Sequence, residues 1–129
     1  MTPYGRFVLA GPDVVCNQKC FMITGKQLKY LCALLNSKLV TWFVRRTAVT
    51  TGMGLTQWDK FTVERTPIAR PDHSTEDRIG QIVNSILTAI EAADEQGANI
   101  LQQRLDTHIF EIYDLTEAEI EAVSSALKF

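Results

Sequence analysis

Apolar side chains recur every three or four residues between positions 28 and 43, which is the spacing of one face of an α-helix. The members are Leu28, Leu31, Cys32, Leu35, Leu39, Trp42 and Phe43. Thr24 and Gln27 have the spacing of a capping box, which predicts a helix start at about Gly25. Asn36 and Ser37 interrupt the run, and their side chains compete for backbone hydrogen bonds. We therefore expect a bend or a recapped second helix there.

Short runs rich in β-formers flank this helical stretch. They cover residues 6–10, 14–16, 20–24 and 61–65, and turn-forming or polar residues separate them. Pro67 and Pro71 end the last run, because proline cannot continue a ladder of hydrogen bonds. Short strands cannot bury both faces of a sheet, so one face should pack on the apolar helix. The sequence predicts an α+β fold with a small antiparallel sheet packed on a bent helix.

Three amphipathic helices are predicted after the prolines. Ser74 is the predicted cap of the first and Gly97 its predicted stop, while Thr116 and Glu119 form a capping box for the third. The first helix has an apolar seam of Ile79, Ile82, Val83, Ile86, Leu87 and Ile90. Short connections favour antiparallel packing, so we expect a three-helix antiparallel C-terminal tail.

Charge divides the chain at the same place. Residues 1–71 contain ten basic and three acidic side chains, a net charge of +7, whereas residues 72–129 contain three basic and twelve acidic ones, a net charge of −9. We expect two portions with this boundary: an α+β portion and an acidic helical tail. The basic excess favours a polyanionic partner, although the two portions could also neutralise each other within one fold.

Several functional classes find no support in the residues. There is no apolar run long enough to span a bilayer and no secretory leader, so we expect a cytoplasmic protein that does not enter membranes. The three cysteines lack zinc-ligand spacing, and His73 and His108 have no motif partner for catalysis. Gly52 and Gly54 lack the preceding strand and the third glycine of a dinucleotide site. We expect neither a metal site nor catalysis.

A polar loop follows the helical stretch, at residues 47–60. It carries Gln57, Trp58 and Lys60 beside Arg45 and Arg46. Amides and lysine can hydrogen-bond base edges, while hydroxyl, lysine and arginine groups can bind phosphates. Trp58 is equally consistent with an ordinary core position. The loop and its basic neighbours are therefore candidates for contact with DNA.

Three segments of the chain resemble a known family. They are Leu28–Phe43 with its LLNSKL sequence, Thr66-Pro67-Ile68, and Leu105–Ile120 with its Y-x-L-T-x-x-E-I ending. Together they resemble the C-terminal target-recognition region of TaqI-like adenine-specific DNA methyltransferases and of the fused type IIG restriction enzymes. The resemblance extends from about Cys20 to Val123. The chain departs from the family pattern at Thr66-Pro67-Ile68-Ala69, where Leu-Pro-Ile-Pro is usual, and at Asp114, where a glycine is usual.

The resemblance implies a DNA target-recognition fragment of a site-specific adenine-N6 DNA methyltransferase or type IIG restriction-modification enzyme, without catalysis of its own. Its implied partners are double-stranded DNA and the N-terminal methyltransferase part of the parent chain. That part would bind S-adenosylmethionine, and we expect no cofactor in this fragment. The residues expected to contact phosphates are Lys38, Arg45, Arg46, Lys60 and Arg65, with Gln57 expected at a base edge. The alternative is a protein-interaction or assembly module that docks a partner chain on the Ile79–Ile90 seam.

Overall fold

The computed structural model describes residues 7–10, 22–47 and 60–127, and of Lys60 and Phe61 it describes the backbone alone. All regular elements within these ranges are α-helices. They are α1 (Leu28–Leu35), α2 (Lys38–Thr47), α3 (Lys60–Glu64), α4 (His73–Glu91), α5 (Glu95–Ile112) and α6 (Glu117–Ala126). No strand occurs in the described ranges, so the predicted α+β fold with its antiparallel sheet is wrong. Most of the predicted strands at 14–16 and 20–24 lie outside these ranges.

The predicted strand at 61–65 is wrong, because these residues belong to a short helix, α3, and to the turn that follows it. Thr62 and Thr66 are both buried, and the Thr66 hydroxyl donates to the Thr62 carbonyl across 3.0 Å. This i, i+4 bond is possible only when the backbone turns back on itself. A five-residue segment with alternating polarity fits either structure, and here the burial of Thr62 and Thr66 and the packing of Val63 on the core fit one face of a helix.

Residues 7–10 of the predicted strand at 6–10 form no regular element in the described ranges, and a side chain binds the backbone groups of Phe7. The Asn36 side chain accepts from the Phe7 N–H across 3.0 Å and donates to the Phe7 carbonyl across 2.9 Å. A side-chain amide thus makes both bonds that a neighbouring strand would have made. Phe7 and Leu9 pack as partly buried side chains against the helical core.

The predicted break in the helical stretch is confirmed at Asn36 and Ser37. Helix α1 ends at Leu35 and α2 begins at Lys38. The Ser37 hydroxyl donates to the Leu34 carbonyl across 2.6 Å and accepts from the Val40 N–H across 3.2 Å, which is an N-cap bond. The start of α1 differs from the prediction. Gln27 precedes the first helical residue in a left-handed conformation, with a φ of 60° and no side-chain cap bond.

The three predicted tail helices are present with different bounds. Asp72, not Ser74, caps α4, because its carboxylate accepts from the Thr75 N–H across 2.7 Å. Gly97 does not stop a helix: its N–H donates to the Asp94 carboxylate across 2.9 Å in the first turn of α5. The predicted capping box of Thr116 and Glu119 is confirmed, with bonds of 3.2 and 2.9 Å.

One apolar core joins helices from both sides of residue 71. Helix α1 packs on α4, α4 and α5 form a long hairpin, and α2 packs on α5 and α6. The buried members of this core are Tyr30, Ala33, Leu34, Leu35, Val40, Val44, Ile79, Ile82, Val83, Leu105 and Ile109. A second cluster of Phe110, Val123 and Leu127 packs against Trp42 and Leu39 of α2. The division into portions 1–71 and 72–129 stays a prediction.

Two tyrosines hold the segment that connects α3 to α4. The Tyr30 hydroxyl donates to the Ala69 carbonyl across 2.6 Å. The Tyr113 hydroxyl donates to the Pro67 carbonyl across 2.8 Å and accepts from the Ala69 N–H across 3.0 Å. Burial, with smaller effects of Tyr113 and Glu76, raises the pKa of Tyr30 to about 12, and burial also raises the pKa of Tyr113. Both hydroxyls therefore remain donors at neutral pH.

Asp114, directly after the C-cap of α5, has a strained backbone conformation that a substitution can test. Its φ is 54°, in the left-handed region that glycine adopts without strain. Asp114→Gly is expected to raise the free energy of unfolding by roughly 0.5–1 kcal/mol, because relief of strain exceeds the added entropy of the unfolded chain. Denaturation by urea at 25 °C, followed by circular dichroism, measures the change.

The matched control is Asp77→Gly, in the interior of α4. Asp77 is exposed and has an ordinary helical backbone, so glycine there should lower the free energy of unfolding by roughly 0.5 kcal/mol. Replacement of aspartate by glycine is thus expected to raise the free energy of unfolding at position 114 and to lower it at position 77. A loss of stability in both variants would contradict the assigned strain at Asp114.

Candidate nucleic-acid interface

Helix α2 carries three of the six side chains predicted to contact DNA. Lys38 is its exposed first residue, and Arg45 and Arg46 lie in its last turn. Lys38, Trp42 and Arg45 are spaced i, i+4 and i+7, so they share one side of the helix. With a rise of 1.5 Å per residue, the side chains of Lys38 and Arg45 start about 10 Å apart along the axis. Lys38 therefore lies at one end of α2 and the two arginines at the other.

Arg46 is exposed and stacked on an aromatic ring of its own helix. Its guanidinium carbon lies 5.2 Å from the centroid of the Trp42 ring, a cation–π arrangement. Trp42 is partly buried against the cluster of Phe110, Val123 and Leu127. The ring is therefore fixed by the core on one side while it carries a cation on the other. This restricts the orientations that the Arg46 side chain samples.

Arg65 brings a third guanidinium to the same end of α2. It is exposed, it follows α3 directly, and its Nη2 donates to the carbonyl of Thr47 across 3.5 Å. Thr47 is the last residue of α2, where cations interact favourably with the helix dipole. The fold thus brings Arg45, Arg46 and Arg65 together at the C-terminal end of α2; we call these three residues the arginine group.

The two other predicted contact residues, Lys60 and Gln57, lie partly or wholly outside the described part of the chain. The backbone of Lys60 begins α3, and its side chain is outside the described atoms. Gln57 lies outside the described residues, together with the rest of 48–59. Both assignments stay predictions. No group of histidine, cysteine and acidic side chains in the described ranges could hold a metal ion.

Sequence reasoning missed how the junction before α2 is built. Besides its two bonds to Phe7, the Asn36 amide donates to the Cys32 carbonyl across 3.0 Å. Burial raises the pKa of the half-buried Cys32 thiol, with a smaller opposing effect of Asn36, so this free cysteine stays protonated at neutral pH. The interruption of an apolar run by an amide was a signal of the break, but its partner is 29 positions away.

The second missed residue is a buried acid. Asp106 of α5 is only 4% exposed, and its Oδ1 accepts from the backbone N–H of Lys38 across 3.0 Å. Burial raises the pKa of Asp106, and the N–H and ammonium groups of Lys38 partly oppose the effect. The signal was an acid between Leu105 and Ile109, on the apolar side of a predicted helix. The N-terminal end of α2 is thus held by a residue of the acidic tail.

Comparison with known proteins identifies the chain's family. The family described as the TaqI-like C-terminal specificity domain matches residues 3–68, slightly more than half of the chain. The chain belongs to this family. The resemblance to the TaqI-like recognition region is confirmed over residues 3–68, which include Leu28–Phe43 and Thr66-Pro67-Ile68. Neither the curated proteins nor the solved structures contain a match to the chain.

Specificity domains of this family serve DNA target recognition in restriction–modification enzymes; they are generally non-catalytic and form part of methyltransferase-type enzymes. The matched part of this specificity domain contains Lys38 and the whole arginine group. Asp106 and Tyr113, which contact that part, lie outside the match. No described helix of the specificity domain combines the length and apolar character needed to cross a bilayer.

The apolar seam that the alternative interpretation assigns to a partner chain is mostly used within the fold. Ile79, Ile82 and Val83 are buried in the core against the neighbouring helices. Leu87 and Ile90, at the distal end of α4, are 40% and 61% exposed. A partner would therefore find only the end of this seam accessible.

Proposed function

We propose that this specificity domain binds double-stranded DNA with the exposed Lys38 at the start of α2 and with the arginine group at its C-terminal end. The observation that carries the proposal is the convergence of Arg45, Arg46 and Arg65 at one end of a helix within the family match. The basic excess of residues 1–71 supports it, because DNA attracts such a surface over a long range.

The arginine group suits phosphate binding for a chemical reason. A guanidinium presents several N–H donors in a planar fork that matches two oxygens of a phosphate. Arg46 is held on Trp42, so less conformational entropy is lost when it binds. Lys38 would add an ammonium about 10 Å away along α2, within reach of another phosphate of the same backbone.

Specificity requires contacts with base edges in addition to phosphates. Gln57, in the segment between α2 and α3, is our proposed base-edge contact, and Lys60 a further phosphate contact. An amide can form paired hydrogen bonds with adenine in the major groove. The segment begins directly after α2, which carries Arg45 and Arg46, and ends at α3, which precedes Arg65. Its two ends are therefore next to the proposed phosphate contacts.

The proposed parent is a site-specific adenine-N6 DNA methyltransferase or a type IIG restriction–modification enzyme. In this proposal the chain supplies target recognition and no catalysis, and the methyltransferase part supplies the S-adenosylmethionine site. Family membership supports the assignment, since such specificity domains form part of methyltransferase-type enzymes.

A salt titration tests the proposed surface. The double variant Arg46→Ala, Arg65→Ala removes two exposed guanidinium groups from one end of α2. If both bind phosphates, the slope of log Kobs against log salt concentration should become shallower by about 1.8, because each phosphate contact contributes about 0.9. Fluorescence anisotropy with a labelled duplex of mixed sequence, between about 20 and 200 mM salt, measures the slope.

The control removes the same charge elsewhere. Lys26→Ala combined with Arg104→Ala also deletes two exposed cations, one before α1 and one on α5. It should leave the salt slope within about 0.5 of that of the unaltered chain, since neither side chain belongs to the proposed surface. Equal slopes for the two double variants would refute the assignment of the arginine group to the DNA interface.

A further inference from the structure

The buried acid at the start of α2 links the acidic tail to the proposed DNA-binding helix. Asp106 lies 68 positions after Lys38, on α5, and beyond the part of the chain that matches the family. Its carboxylate is nearly inaccessible, yet it accepts the N–H of the first residue of α2 across 3.0 Å. Burial of a carboxylate is costly unless hydrogen bonds compensate it, so this contact ties the position of α2 to that of α5.

The start of α2 needs this contact for a reason general to helices. The first N–H groups of a helix have no partners within it and need acceptors from outside. Ser37 provides one acceptor, for the Val40 N–H, and Asp106 provides another, for the Lys38 N–H. A negative charge also interacts favourably with the N-terminal end of the helix dipole. Asp106 thus fixes the starting point of α2 from a separate helix.

A second contact from the same tail fixes the side of α2. Trp42 and Leu39 pack against Phe110, Val123 and Leu127 of the tail. With the start and one side of α2 held, its C-terminal end has little freedom of direction. Arg45 and Arg46 lie at that end, about 10 to 12 Å along the axis from Lys38. A small tilt at the N-terminal end would therefore displace both guanidinium groups.

We infer that Asp106 is a positioning residue for DNA binding, which orients Arg45 and Arg46 through its hydrogen bond to the first N–H of α2. The inference rests on the proposed function and deepens it. It assigns part of DNA recognition to the acidic tail, outside the basic portion that carries the proposed contacts. Asp106 itself does not touch DNA, so its effect must pass through α2.

Two substitutions at one position separate the hydrogen bond from the charge. Asp106→Ala leaves the Lys38 N–H without its acceptor and is expected to weaken binding of a labelled duplex by roughly fivefold to tenfold and to make the salt slope shallower by about 1. Asp106→Asn keeps an oxygen that can accept from the same N–H, so its affinity should stay within about twofold of the unaltered chain. If the charge of Asp106 were what matters, asparagine would weaken DNA binding as much as alanine does. Affinity close to that of the unaltered chain in Asp106→Asn would therefore assign the effect to the hydrogen bond.

The matched control is Asp94→Ala. Asp94 also accepts one backbone N–H at the start of a helix, that of Gly97 in α5, but at the far end of the hairpin. Its loss should reduce stability without changing the affinity for DNA or the salt slope. DNA binding is measured at a temperature at which circular dichroism shows all compared variants to be folded.

Phe110→Leu is the second disrupting variant. It removes part of the apolar surface against which Trp42 packs, so it should weaken DNA binding as Asp106→Ala does.

The outcomes distinguish this inference from the proposed function. If the unaltered chain binds the duplex with a steep salt slope while the disrupting variants bind equally well, Asp106 is not a positioning residue and the proposed function stands. Failure of asparagine to restore affinity would also overturn the inference. If the unaltered chain shows no salt-dependent binding, the proposed function and the inference both fail.

Discussion

Replacing Leu34 by alanine is expected to lower the free energy of unfolding by about 3–4 kcal/mol. Leu34 is fully buried (0% exposed) in the core that α1 shares with α4 and α5. Alanine would remove buried apolar atoms and leave a cavity that the surrounding helices can close only in part. Small domains have a total stability of about 5–15 kcal/mol, so the expected loss is a large fraction of it. Urea denaturation at 25 °C measures the midpoint and the slope.

The control is the same substitution at an accessible position. Leu87 on α4 is 40% exposed, so Leu87→Ala should cost no more than about 1 kcal/mol. An equal loss of stability in the two variants would contradict the burial of Leu34 in this core. The result matters for function, because α1 leads directly into the junction before α2.

Replacing Asn36 by alanine is expected to lower the free energy of unfolding by about 2–3 kcal/mol. The substitution removes the bonds of 3.0 and 2.9 Å that the amide makes to the N–H and carbonyl of Phe7, and it removes the 3.0 Å side-chain bond to the Cys32 carbonyl. The loss of hydrogen bonds to partly buried backbone groups is costly. Urea denaturation measures the loss, and hydrogen exchange at the Phe7 N–H should become faster.

Asn36→Asp and Asn84→Ala are the informative comparisons. The aspartate still accepts from the Phe7 N–H but cannot donate to either carbonyl, so its effect on stability should be nearly as large as that of alanine. Asn84 is exposed on α4, and its replacement should change stability by less than about 0.5 kcal/mol. Unchanged exchange at Phe7 in Asn36→Ala would contradict the assigned role of the amide.

Periodicity predicted the helices well where the apolar pattern was long. The stretch from Leu28 to Phe43 is helical apart from its break, and Asn36 and Ser37 mark that break as expected. Short patterns failed. The segment at 61–65 has the alternation of a strand but forms α3, because five residues contain too little pattern to distinguish the two periods.

The hydrogen bonds of Phe7 could not have been predicted from local sequence. Its backbone groups bond to an amide 29 positions away, and no propensity scale contains that contact. The helix bounds were missed for a different reason. Asp72 and Ser74 are both good caps, two residues apart, and the structure uses the first, with the Ser74 hydroxyl donating to the carboxylate of Asp72.

The candidate site was predictable in composition and not in arrangement. The charge pattern predicts Arg45, Arg46 and Arg65 as contacts, but Arg65 reaches the end of α2 from α3, a helix where the sequence pattern predicts a strand. The same charge pattern places Asp106 only in an acidic tail. Its function in the fold depends on a contact between helices far apart in sequence.

The two tyrosine hydroxyls on the segment after α3 constrain how such proteins can be recombined. The family match ends at residue 68, which makes this segment an obvious crossover point for chimaeras that exchange recognition modules. Tyr30 comes from one side of that point and Tyr113 from the other, and both bond to the backbone between Pro67 and Ala69. A hybrid joined there keeps the backbone conformation of this segment only if one parent supplies a tyrosine at position 30 and the other a tyrosine at position 113. Both tyrosines must therefore be present in a hybrid that folds in the same way.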